Sequence, residues 1–350
     1  MSYHDHKTLV NLGQKEALLN EYKGNLFEFL VAKELASLVK KESFFLSHLS
    51  RELLERLRVY QETLLEYDRD LYQKLPLLAK NLVNHLLKNW DESFRNKIFS
   101  TNEIFLLGKL EATSAERLWK EADIVLRYGA SNEELPISLK LSKKGSYTNT
   151  KSAGIMSFFP KYFGMFDQRY PDLINTEILQ RRFNLLLDNS FDQMALLLHR
   201  EKGLVYEGGF GSFYLGHYPD LPGELHGVER EILMDHYKRL SLALLNELQE
   251  LKSLDQSLFT DSLFELMGFS SSETFVWTCY HQDHIFSEAH EYDLNSFKKR
   301  SENENVIKFL PLEGSGSVNI KVFDAILQLR IKPMNKFTTK AYKVNCSVKW

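Results

Sequence analysis

Apolar residues recur at three- and four-residue steps through the first third of the chain, the signature of amphipathic helices. From Gln14 to Lys41 the series Leu26, Phe27, Leu30, Val31, Leu35 and Leu38 predicts one helix, with Gly24-Asn25 as a start or a kink and Asn25 as a possible N-cap. A second helical block runs from Phe44 to Tyr72, with Leu46, Leu49, Leu53, Leu57, Tyr60 and Leu64 on one face. Pro76 is expected to break it, with helix resuming over Leu77–Leu87.

The pattern changes near Phe99. Ala122–Arg127 reads as a strand, Tyr128–Asn132 as a turn and Leu135–Leu141 as a second strand, which predicts a β-hairpin. The stretch from Lys143 to Thr150 reads as polar loop. Helical spacing returns from Ile155, from Asn175 to Arg200, from His226 to Leu254 and from Leu258 to Met267. Strands are predicted at Phe275–Tyr280, Val306–Leu310, Val318–Val322, Ala325–Lys332 and Tyr342–Val348. The expected class is therefore α+β. Two regions are anticipated: 1–205, with a helical insertion at about 44–98, and 206–350, an α/β region with a β-rich basic end.

Composition adds bounds. The 350 residues are 43% apolar and 26% charged, which fits a globular chain and excludes a disordered one. Two cysteines, Cys279 and Cys346, cannot build a disulfide framework, so the expected setting is a reducing cytoplasm. No run is long and apolar enough to predict a membrane span. Net charge is -3, yet its distribution is uneven. From Ser317 to Trp350, Lys321, Arg330, Lys332, Lys336, Lys340, Lys343 and Lys349 face Asp324 alone, a local charge of 7 - 1 = +6. Such a tail, with Phe337 and Tyr342 among its lysines, is a candidate phosphate-facing surface; the plainer account is an edge decorated with lysine against aggregation.

The candidate chemistry lies on the 122–141 hairpin. Glu121 and Asp123 share one face of its first strand, and Ser138 and Lys140 one face of its second. An acid and a lysine converging at a sheet end can hold a divalent metal and orient an attacking water. Lys143, Lys144, Ser146, Asn149 and Lys151 then supply charge and short donors suited to phosphate contact. The run Cys279-Tyr-His281-Gln-Asp283-His284 lacks the paired ligands of a zinc site and reads as a polar strand end.

Three pieces of this chain together resemble the PD-(D/E)xK nuclease superfamily, to which many type II restriction endonucleases belong. The segment from Gly24 to Leu35, with Glu28, resembles the family's first core helix; Asp123 matches its metal-binding aspartate and Lys140 its lysine. Ser138 stands where the family has Asp or Glu. The resemblance implies a mixed β-sheet core flanked by helices and a Mg²⁺-dependent endonuclease acting on double-stranded DNA. It implies Asp123, Lys140 and Glu28 as catalytic, with Asp123, Glu28, the Leu139 carbonyl and Glu121 around the metal. Lys143, Lys144, Ser146, Asn149, Lys151, Lys332, Lys336, Lys340 and Lys343 would contact DNA. A restriction system would further imply a homodimer and a cognate DNA methyltransferase. A nuclease of antiphage defence or repair with little sequence preference, and a DNA-binding protein with a decayed site, are the alternatives.

Overall fold

A computed structural model describes residues 12–107, 122–214, 222–269, 274–295, 307–312, 316–334 and 336–349. The fold is mixed α+β, with two five-stranded sheets and flanking helices. The chain divides into two units: residues 1–146 with 269–300, and residues 147–268 with 301–350. Residues 205 and 206, where the sequence suggested a change of region, both belong to the second unit.

In the first unit, helix α1 (Leu12–Leu38) runs straight through Gly24 and Asn25. Asn25 is buried mid-helix and caps nothing. After α2 (Glu42–Ser47), the predicted second block is two helices, α3 (Arg51–Tyr67) and α4 (Arg69–Asn89). The break falls at Asp68 rather than at Pro76. Asp68 leaves helical geometry, and its carboxylate accepts from the Leu71 backbone N–H at 3.1 Å, which starts α4 afresh. Pro76 lies inside α4 on its exposed side, where water can satisfy the carbonyl that loses its donor. Helix α5 (Glu92–Phe99) then leads into the sheet.

That sheet has the order β1-β2-β3-β5-β6. Strands β1 (Thr101–Leu106), β2 (Ile124–Tyr128) and β3 (Glu133–Lys143) form an antiparallel meander, in which β2 and β3 are the hairpin read from the sequence. Strand β5 (Phe275–Gln282) returns from far along the chain to lie parallel to β3, and β6 (Ile285–Asp293) pairs with β5 across a tight turn. Both turn residues, Asp283 and His284, have positive φ (48° and 62°), as a two-residue turn matched to strand twist requires. One face of the sheet, carrying Ile124, Leu126, Leu135, Ile137, Leu139, Trp277 and Cys279, shares a core with the apolar stripes of α1, α3 and α4. By strand alternation, Ser138 and Lys140 lie on the other face.

In the second unit, β4 (Thr148–Gly154), β7 (Ile307–Phe309), β8 (Ser317–Val322), β9 (Ala325–Pro333) and β10 (Tyr342–Lys349) form an antiparallel sheet of order β4-β10-β9-β8-β7. Strand β4 corrects the sequence reading, which placed a loop there: Thr148–Gly154 pairs along β10. The helices of this unit are α6 (Phe158–Phe163), α7 (Met165–Arg169), α8 (Thr176–Glu201), α9 (Gly227–Leu254) and α10 (Gln256–Leu266). Asn175 accepts from the Ile178 N–H at 3.0 Å and caps α8, and Asp255 does the same for α10 through Leu258 at 2.9 Å. Among the described residues, no helix is long and apolar enough to cross a membrane.

Candidate functional site

Strands β2 and β3 pair as far as Ile124 and Ile137, with one further backbone bond from the Asp123 N–H to the Ile137 carbonyl at 2.8 Å. Beyond that point the Asp123 carboxylate, rather than strand backbone, meets β3. Its Oδ2 accepts from the Leu139 N–H at 2.6 Å and from the Ser138 hydroxyl at 3.2 Å. The Lys140 ammonium donates to Ser138 Oγ at 2.7 Å and lies 3.7 Å from the same Asp123 oxygen. Asp123, Ser138, Leu139 and Lys140 thus form one connected cluster.

Ser138 is buried at 4% exposure, while the Asp123 and Lys140 side chains keep 19% and 23%. The serine is the inner link. It donates to the acid and accepts from the base, so neither hydroxyl proton nor lone pair is stranded. The two charged ends stay reachable from solvent. All three described bonds to Asp123 fall on Oδ2, which leaves Oδ1 for another partner.

Other expected residues are placed apart. Glu28 lies on α1, the helix layer of the opposite sheet face. There its charge is felt by Tyr60 of α3, whose hydroxyl pKa is raised, first by burial and in smaller part by Glu21 and Glu28. Glu21, Asn25 and Glu28 share one side of α1 by helical spacing, and Asn25 is hydrogen-bonded to Tyr60. Glu121 lies outside the described residues. Lys143 ends β3; the Lys144 N–H donates to the His281 carbonyl at 2.9 Å, and its ammonium stands 3.7 Å from Glu288. Ser146 donates to the Lys143 carbonyl in the turn after β3. Asn149 and Lys151 sit on β4, with Asn149 accepting from Asn345 at 2.9 Å.

The basic tail is also redistributed by folding. Phe337 and Tyr342 are fully buried core residues, so neither aromatic is free to stack on a base. Lys340 pairs with Asp188 at 3.3 Å and Asp192 at 3.2 Å. Lys332 is on β9, and burial lowers its pKa. Lys343 is on β10, and Lys336 lies in the segment before it.

His281 and Cys279 are buried on β5. Among the described residues, no group of three or more His, Cys, Asp or Glu side chains is placed to hold a metal ion. Magnesium asks for less. It keeps several of its waters and takes one or two carboxylates together with substrate phosphates. A partly exposed aspartate with one oxygen unspoken for fits that role as a single protein ligand. The chain matches no protein-family profile, no curated protein and no solved structure.

Proposed function

We propose that this chain hydrolyses phosphodiester bonds of double-stranded DNA in a magnesium-dependent manner, as a restriction-type endonuclease built on a PD-(D/E)xK-like core. The observation that carries the reading is the Asp123–Ser138–Lys140 cluster, formed where β2 and β3 part. A Mg²⁺ ion held by Asp123 and by substrate oxygens would supply positive charge for the phosphate as charge develops on it. Asp123 fixes that position because Oδ2 is anchored to the Leu139 N–H. Lys140, held in place by Ser138, donates to a phosphate oxygen or to the attacking water and sets its direction. A Ser–Lys nucleophile pair is a weaker account of the 2.7 Å contact. The serine is buried, and it gives its proton to Asp123 rather than to Lys140.

The second reading, a DNA-binding protein whose site has decayed, is favoured by Ser138 in place of an acid. Digestion of plasmid DNA with and without Mg²⁺ separates the cases. Discrete fragments that vanish in Asp123→Asn and Lys140→Ala support the restriction-type reading. A smear supports a nuclease with little sequence preference. Binding without cleavage in the wild type supports the decayed site. Equal cleavage by wild type and both variants would sink the assignment to this cluster.

A further inference from the structure

Helix α8 buries one side and leaves an apolar stripe on the other. Leu185 is 64% exposed, Leu186 38%, Leu196 54% and Leu197 39%. Asn189 and Gln193 lie between them, also exposed. At about 100° per residue, all six point within about 60° of the direction opposite buried Phe191. A cleft of about 580 Å³ runs along the same ground, lined by Asn189, Asp192, Gln193, Leu196, Leu197 and Tyr206. A soluble surface rarely gathers so many large apolar side chains without an occupant.

The order of these residues identifies that occupant. Reflected about position 191, Leu185 maps to Leu197, Leu186 to Leu196 and Asn189 to Gln193. A two-fold axis through the exposed side of α8 at that level would therefore set a second α8 antiparallel to the first. Leucine would meet leucine at both outer layers, and an amide would meet an amide at the inner one. Gln193 Oε1 already accepts from Arg239 of α9 at 2.6 Å, which leaves its amide N–H donors for the Asn189 carbonyl of the second copy.

Charge agrees with the same axis. Reflection carries Arg200 onto position 182. Arg182 is held there by Glu247 and by Glu250 at 2.8 Å, a cluster of one positive and two negative groups. Exposed Arg200 of the second copy would balance its excess negative charge. Self-complementarity of one patch is what a two-fold dimer requires and what an unrelated partner does not.

We propose that the chain forms a homodimer through an antiparallel α8–α8 contact centred on position 191. The contact rests on α8 and α9 alone and stands whether or not the chain is a nuclease.

Light scattering on the full chain at tens of micromolar should give twice the 40.9 kDa chain mass, and Leu186→Glu/Leu196→Glu should halve it. Cysteine pairing tests the register and needs no disruptive change, because native Cys279 and Cys346 are buried. Asn189→Cys mixed with Gln193→Cys should give a disulfide-linked dimer under mild oxidation. Either variant alone should give little, since each position faces the other's across the axis. A monomeric wild type, or a mixture that fails to cross-link, overturns the proposal. So does Asn189→Cys cross-linking to itself as readily as the mixture, which would mean parallel helices.

Discussion

Glu291 on β6 offers a sharp test of the first unit's packing. The indole N–H of Trp90 donates to its carboxyl at 2.9 Å, and the rings of Trp90 and Trp277 stand 5.5 Å apart beside it. Burial pushes its pKa up to about 7, against the pull of the indole hydrogen bonds and with help from Asp293 and Asp91. A folded-state pKa above the unfolded value of 4.5 means that the native state binds more protons between those limits. Stability contributed by this site is therefore present below pH 4.5 and is lost as pH rises toward 7. A shift of that size corresponds to about 3 kcal/mol at most.

His281 in the same unit works in the opposite direction. Burial, then His284, Lys23 and Lys143, push its pKa down to about 4 from 6.5. The unfolded state binds the extra proton there, so stability rises with pH between 4 and 6.5. Within the first unit the two slopes nearly cancel from about pH 4.5 to 6.5, and His236 of the second unit, also pushed down to about 4 by burial, leaves wild-type stability rising with pH in that window. Glu291→Gln keeps an acceptor for Trp90 and removes the titration. In urea unfolding followed by tryptophan emission, the variant should match wild type near pH 4.5. It should gain about 1.4 kcal/mol per pH unit relative to wild type up to pH 7. Native emission should also titrate near pH 7 in wild type only. A variant that differs from wild type by the same amount at pH 5 and pH 8 would refute the buried-carboxyl account.

Phe337→Ala should cost about 3–5 kcal/mol of stability, as a core cavity does, and any loss of DNA binding should track unfolding when both are measured on one sample. Asp68→Ala should destabilise by about 1 kcal/mol in thermal or urea unfolding, because it removes the cap of α4, whereas Pro76→Ala should be neutral or stabilising. Ser138→Asp adds a second carboxylate at the cluster and should tighten Mg²⁺ binding measured by calorimetry; unchanged affinity would show that Asp123 is not where the ion sits.

The hairpin was legible because its two strands are local and alternate cleanly, so Ser138 and Lys140 could be set on one face of their strand, and Asp123 on the neighbouring strand, from spacing alone. Strand β5 was legible as a strand but not as the parallel neighbour of β3, since more than a hundred residues separate them and pairing depends on tertiary closure. Strand β4 was missed because Thr148–Gly154 has little apolar content; it is held as a strand by pairing with β10. The Pro76 reading failed because proline's cost depends on which side of the helix loses its bond. Phe337 and Tyr342 looked interleaved with lysine, yet both went inward, Phe337 from the turn before β10 and Tyr342 from the first position of that strand.

Glu28 is an acid within an apolar run of α1, and its charge reaches Tyr60 of α3. The Asp123–Ser138–Lys140 cluster by itself has one negative and one positive group bridged by a neutral hydroxyl. A neutral cluster has little hold on a free divalent cation, because the lysine's repulsion offsets much of the aspartate's attraction. A bound phosphodiester brings the missing negative charge. In the proposed nuclease, metal and DNA would therefore bind as a pair, with the substrate completing the site.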